Sequence, residues 1–128
     1  MGYATWATIE NCHVAAGCTI GTNQIFEESG DVGGIIGYAE QCTISGCTNA
    51  ATVEDNNTNN LGSIGGIVGY ATGTSTNFTT VSDCVNVGAV SGCTYVGGIA
   101  GQSYNSTFSG CYVGGACNIG AMGVSGSS

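Results

Sequence analysis

One six-residue block recurs at a fixed interval along this chain. It reads Gly33-Gly34-Ile35-Ile36-Gly37-Tyr38, then Gly65-Gly66-Ile67-Val68-Gly69-Tyr70, then Gly97-Gly98-Ile99-Ala100-Gly101-Gln102. The copies begin at 33, 65 and 97, so the period is 32 residues. A broken copy opens the chain as Gly2-Tyr3-Ala4, matching Gly37-Tyr38-Ala39 and Gly69-Tyr70-Ala71. A constant period of this size is the signature of a repeat architecture, in which each unit buries its apolar face only against its neighbours. The 128 residues therefore divide into one repeat domain, 1–128, with units 1–32, 33–64, 65–96 and 97–128.

A second motif sits inside every unit: Ile9-Glu10-Asn11-Cys12, Ile44-Ser45-Gly46-Cys47, Val81-Ser82-Asp83-Cys84 and Phe108-Ser109-Gly110-Cys111. Its pattern is apolar, polar, turn-former, Cys. Six residues beyond each of these cysteines stand Cys18, Val53, Val90 and Cys117, a second apolar column expected to face inward. Stretches such as Cys84-Val85-Asn86-Val87-Gly88-Ala89-Val90 alternate as a short strand does. The Gly-Gly-Ile-Val block reads as another short strand, giving about three per unit. No segment shows a sustained helical period, Pro is absent, and 24 glycines supply turns. The expected fold is all-β, a parallel β-solenoid of about four 32-residue coils stacked about 4.8 Å apart. In it Ile and Val ladders lie inside, and Thr and Asn ladders outside.

Charge narrows the function. The chain has no Lys or Arg against eight acids, a formal charge of −8. Nucleic-acid affinity rests on Lys and Arg neutralising phosphates, and anionic membrane surfaces recruit the same residues, so both partners are excluded. No stretch approaches the roughly 20 apolar residues of a membrane span, so no membrane insertion is expected. The N-terminus has neither a basic region nor an apolar run, so the expectation is a processed chain or a segment of a longer one.

The paired glycines, two aliphatics and third glycine, followed by Ser82-Asp83-Cys84-Val85-Asn86-Val87-Gly88-Ala89-Val90-Ser91-Gly92, resemble the GLUG-motif repeats of bacterial surface proteins. The resemblance extends over nearly the whole chain. It implies a secreted or surface-attached β-solenoid-like array, found in adhesins or beside the catalytic part of immunoglobulin-cleaving peptidases, and not itself catalytic. The chain departs from the pattern in three ways: Tyr or Gln follows the third glycine, each unit has a second Cys, and basic residues are missing. Those departures leave any family ligand open.

Each unit holds two cysteines: Cys12 and Cys18, Cys42 and Cys47, Cys84 and Cys93, Cys111 and Cys117. Eight Cys in a chain this short fit an oxidising compartment, extracellular or at the cell surface. The simplest pairing is one staple inside each unit. The rival pairs neighbouring coils along the column Cys12, Cys47, Cys84, Cys111, because the coil spacing of about 4.8 Å lies inside the allowed Cα range of about 4.4–6.8 Å. A metal or nucleophile role for Cys12 and His13 is weighed against a plain surface pair and set aside. Because Cys18 and Cys117 end the inward column, they are expected to meet if copies stack head to tail. Unit one lacks its Gly-Gly-Ile-Val strand and neither end shows a cap, which fits a longer array or a head-to-tail fibre.

Three further sets of residues are candidates. Glu27, Glu28 and Asp31 precede Gly33, and Glu54 and Asp55 occupy the loop before Gly65. Stacked, these loops would offer calcium an oxygen cluster, the competing reading being solvated acidic loops. Tyr3, Tyr38 and Tyr70 form a column with Trp6 beside it, either a register-fixing ladder or a glycan contact. Asn56, Asn77 and Asn105 match the N-glycosylation pattern in expected loops. No cofactor and no enzymatic role is expected, for the paired carboxylates sit in loops without a cleft. The function expected is structural, as part of a surface adhesin or a self-assembling fibre, with self-association or neighbouring repeats as partners. The alternative is a glycan-binding module that presents loops and the Tyr column.

Overall fold

The computed structural model describes residues 1–22, 30–55, 62–92, 94–114 and 119–121. All regular structure in them is β. The first coil carries β1 (Tyr3–Thr5), β2 (Thr8–Glu10), β3 (His13–Val14) and β4 (Thr19–Thr22). The second carries β5 (Val32–Gly33), β6 (Ile36–Glu40), β7 (Thr43–Ser45), β8 (Thr48–Asn49) and β9 (Thr52–Asp55). The third carries β10 (Ser63–Gly65), β11 (Val68–Thr72), β12 (Thr79–Ser82), β13 (Val85–Asn86) and β14 (Val90–Gly92). The fourth carries β15 (Tyr95–Gly97), β16 (Ala100–Tyr104), β17 (Ser106–Ser109), β18 (Tyr112–Val113) and β19 (Ile119–Ala121).

Equivalent strands pair in parallel from coil to coil. The five sheets run β1-β6-β11-β16, β5-β10-β15, β2-β7-β12-β17, β3-β8-β13-β18 and β4-β9-β14-β19. This is the parallel β-solenoid the repeat demanded, but a full turn holds five strands, not three. The Gly-Gly-Ile-Val block is the main cause. It is not one strand but a corner between two, with Gly34-Ile35 turning the chain from β5 into β6. Period-two alternation over so few residues does not reveal a bend.

Like stacks on like. Tyr3, Tyr38, Tyr70 and Gln102 are successive register partners. So are Ile9, Ile44, Val81 and Phe108. The irregular length between columns is absorbed at corners. Gln41-Cys42 joins β6 to β7, residues 73–78 join β11 to β12, and Asn105 alone joins β16 to β17. One inward column differs from expectation. Val53 and Val90 pair with Ile20 and Ile119, not with Cys18 and Cys117. Residues 15–18 link β3 to β4, whereas only 50–51 link β8 to β9, so the first coil carries two extra residues and shifts Cys18 off the column.

Two apolar clusters fill the interior. The larger joins Ala4, Ala39 and Ala71, Ile36, Val68 and Ala100, Ile35, Ile67 and Ile99, and the Ile9 column. The smaller joins Val53, Ile64, Val90 and Val96, with Val32 against it. A further correction concerns asparagine. Asn49 and Asn86 are fully buried rather than part of an outer ladder. Asn49 Nδ2 donates to Asn86 Oδ1 at 2.9 Å and to the Ala51 carbonyl at 3.0 Å, and Asn49 Oδ1 accepts from Ala51 N–H. Asn86 repeats the local pattern with Gly88. A buried amide is tolerated only when its polar groups are paired, and here they are.

Candidate functional site

The described candidate residues are spread over the molecule and are not gathered into one centre. What the fold builds is a set of columns along the stack. The most regular is sulfur. Cys12, Cys47, Cys84 and Cys111 each precede registered strand residues, His13, Thr48, Val85 and Tyr112. Thr48 N–H donates to the Cys12 carbonyl, Val85 to Cys47 and Tyr112 to Cys84, each at 2.9 Å. The four therefore occupy one wall, one per coil. The residue before each, Asn11, Gly46, Asp83 or Gly110, has positive φ (53°, 61°, 51° and 61°). That left-handed turn is why the sequence shows only Asn, Asp or Gly there.

Cys12 is exposed, Cys111 half-buried, and Cys47 and Cys84 are closed off from solvent. Burial pushes the Cys47 thiol up and the Cys84 thiol up to about 11; a hydrogen bond from the backbone of the preceding column cysteine opposes each shift, while charge on neighbouring column thiols adds to it. Cys42 lies on a different wall, donating to the Ala4 and Glu40 carbonyls. Cys18 is exposed, and Cys93 and Cys117 lie outside the described residues. The six described cysteines are free thiols. The expected meeting of Cys18 with Cys117 across stacked copies loses its basis, since Ile20 and Ile119 hold those register positions.

The tyrosines form a true ladder. Tyr3 and Tyr38 stack with ring centroids 5.0 Å apart and planes 14° from parallel, while Tyr38 and Tyr70 meet edge-on at 5.3 Å. Tyr3 OH donates to Glu40 Oε2 at 3.1 Å, and that bond first, then desolvation, raises its pKa. Burial, then the Glu40 carboxylate, raises that of Tyr38. Tyr3 is 60% exposed, whereas Tyr38 and Tyr70 are half-buried. Beside the ladder is a cleft that sequence reading did not find. Trp6, 68% exposed, and Phe78, 46% exposed, flank a hollow of about 490 Å³ lined also by Gln41, Thr8, Thr43 and Thr80. The Gln41 Oε1 atom is buried there without a hydrogen-bond partner. Phe78 arrives on the long 73–78 corner, a feature outside the repeat pattern and so invisible to a column-based search.

Among the described residues the carboxylates do not assemble. Glu27 and Glu28 lie outside the described residues. Asp31 Oδ1 accepts from Ser63 N–H at 2.9 Å, Glu54 is half-buried opposite Gly21 and Ser91, and Asp55 is buried. Among the described residues no group of three His, Cys, Asp or Glu side chains is placed to hold a metal ion. His13 Nδ1 hydrogen-bonds Thr48 Oγ1 on the next coil, a surface rung. Of the sequons, Asn56 lies outside the described residues and Asn77 is exposed on the 73–78 corner. Asn105 turns a tight corner at φ 46°, its side-chain amide donating to the Gly73 carbonyl at 3.2 Å.

Among the described residues, a largely apolar hollow lies at each end of the stack. On the first coil a hollow of about 440 Å³ is lined by Ile9, Val14, Ile20, Gly34 and Ile35 among others. On the fourth, one of about 310 Å³ is lined by Ile99, Phe108, Cys111 and Val113 among others. No described helix is long and apolar enough to cross a membrane.

Residues 28–54 match the model of the GLUG motif. The match spans the second coil from before β5 to the penultimate residue of β9, the coil whose columns continue in register into its neighbours. No curated protein and no solved structure matches the chain.

Proposed function

We propose that this chain is a structural, non-catalytic repeat module of the extracellular space that works by coil-on-coil stacking. It serves as a stretch of a surface adhesin or as the subunit of a head-to-tail fibre. The observation that carries this reading is the pair of apolar hollows on coils whose strands stand at the outer edge of their sheets. Four of the five sheets run through all four coils, and their edges present the same columns that pair inside the stack, so a further coil continues those ladders and covers the hollow. Its durability follows from backbone ladders, aliphatic columns and an absence of Lys and Arg that leaves trypsin-like proteases nothing to cut.

Negative-stain electron microscopy at rising concentration tests it. Unbranched filaments that persist in reductant are the expected outcome for a fibre subunit, since Ile20 and Ile119 hold the ends of the stacked column. Monodisperse particles that lengthen only when further repeats are fused in register place the module in a longer array. Particles that do neither overturn stacking as the function.

A second reading rests on the Trp6–Phe78 cleft. Two exposed aromatic faces beside threonine hydroxyls and an unpaired amide carbonyl suit a sugar, whose apolar face stacks on the ring while its hydroxyls pair below. Trp6 is the only tryptophan. A change in its fluorescence on titration with oligosaccharides, abolished in Phe78→Ala, supports this reading, and a silent titration across neutral and basic glycans removes it.

A further inference from the structure

We propose that the sulfur column is a disulfide zipper: Cys12 bridges to Cys47 and Cys84 bridges to Cys111, fastening coil one to two and coil three to four. This inference is independent of the stacking function proposed above and rests on register and on which column thiols solvent reaches.

Geometry favours the column over a staple inside the second unit. Cys42 and Cys47 stand at opposite ends of β7, and at about 3.3 Å per strand residue their Cα atoms lie about 10 Å or more apart, past the limit of about 7 Å for a bridge. Their thiols also use different carbonyls, Ala4 and Glu40 for Cys42, Ile9 and Ser45 for Cys47. Along the column, by contrast, parallel neighbours sit about 4.8 Å apart, inside the bridging range.

Access decides which gaps close. Each sulfur forms one bridge, so the column of four allows either two outer bridges or one central bridge with two thiols left over. Oxidant reaches exposed Cys12 and half-buried Cys111, not Cys47 or Cys84. With a low-molecular-weight disulfide, RS–SR, as oxidant, the Cys12 thiolate attacks one sulfur and expels RS⁻, leaving a mixed disulfide. Cys47 then loses its proton, attacks Cys12 Sγ and expels the second RS⁻. The thiol pair is oxidised by two electrons, RS–SR is reduced to two RSH, and the two protein protons end on them. Cys111 and Cys84 follow the same course. Burial holds the protons on Cys47 and Cys84, so the resolving step accelerates as pH rises.

The chain's own sequence supplies a clean test. The native protein is treated with oxidised glutathione, denatured in acid, alkylated and cut with chymotrypsin after Trp, Tyr, Phe and Leu. Peptide 7–26 then holds Cys12 and Cys18, 39–61 holds Cys42 and Cys47, 79–95 holds Cys84 and Cys93, and 109–112 holds Cys111 alone. The expected map joins 7–26 to 39–61 and 79–95 to 109–112, with fragmentation placing the bonds on Cys12–Cys47 and Cys84–Cys111. Bridges internal to 39–61 or 79–95, a link from 39–61 to 79–95, or alkylated Cys47 and Cys84 would each overturn the zipper. A variant keeping only the four column cysteines, with Cys18, Cys42, Cys93 and Cys117 changed to Ser, adds a count. Its free thiols should fall from four to none, and arrest at two means that only one bridge forms and that the paired assignment fails.

Discussion

A thiol packed into a coil wall is costly to ionise, and Cys84 shows what that does to stability. In the reduced protein it keeps its proton up to about pH 11, whereas the unfolded chain releases it near 9.0. Between those values the folded state binds the extra proton, so stability falls as pH rises. Below pH 9 the contribution is fully present. Cys47 and Tyr38, also raised by burial, act with the same sign. The urea midpoint under reductant should therefore stay level up to about pH 9 and decline toward pH 11. Cys84→Ala should flatten that decline, and an unchanged slope in the variant would show that burial of this thiol does not control it. Asn49 and Asn86 make the complementary point. Their amides are sealed inside, yet stay polar because each closes a local ring with the backbone two residues on.

Corners, more than strands, set which residues this repeat accepts. At the turn before the cysteine column, Asx alternates with Gly: Asn11 lies over Gly46 and Asp83 over Gly110. A Cβ on Gly46 would stand 2.6 Å from Asn11 Oδ1, and at φ 61° it is also strained. Gly46→Ala should cost about 1–2 kcal/mol for the left-handed backbone, plus the clash. Combining it with Asn11→Gly should recover the clash but not the backbone cost, giving a measurable coupling in a double-mutant cycle. Additivity would mean the two side chains do not meet. The corner inside the Gly-Gly block is tighter. A Cβ on Gly66 would lie 2.1 Å from the Gly98 carbonyl and 2.2 Å from Asn86 Nδ2, while one on Gly2 meets nothing within 4 Å. Gly66→Ala should destabilise by about 3 kcal/mol or more, as overpacking of a rigid site does, with Gly2→Ala near neutral by urea titration. The same elements show what was legible in the sequence. The Tyr, Ile and Cys12–Cys47–Cys84–Cys111 columns could be read because position in the repeat fixes their register. The Cys18–Cys117 column could not, because two extra residues between β3 and β4 keep the strand on the same face while displacing Cys18 from it. The buried asparagines and the Trp6–Phe78 cleft were hidden for related reasons. One depends on a contact across the interior with Gly34 and Gly66, the other on an insertion that breaks the period.

At the scale of the whole molecule, charge opposes what shape favours. In-register stacking places identical positions about 4.8 Å apart, so a repeated carboxylate would face its own copy on every coil. Among the described residues this is avoided. Glu10 pairs with Ser45, Glu40 lies between Thr5 and Thr72, and Glu54 lies between Gly21 and Ser91. Thr72→Glu would stack on Glu40, and like charges opposite one another destabilise a sheet by about 0.2–1 kcal/mol. That loss should appear at pH 7 and shrink as both carboxyls protonate in acid. Between copies, however, the net charge of −8 remains, with no side-chain cation other than a protonated His13 to offset it. End-to-end stacking is therefore repelled at neutral pH and low salt, while the apolar hollows on the two end coils favour it. Screening should decide the balance. The Debye length falls from about 10 Å at 0.1 M to about 3 Å at 1 M, below the coil spacing, and salt leaves apolar burial intact. Light scattering and filament length should rise with sodium chloride, and rise again on acidification toward the isoelectric point near 4.1. If salt instead dissolves the assemblies, charge holds them together, and the apolar ends are not the contact.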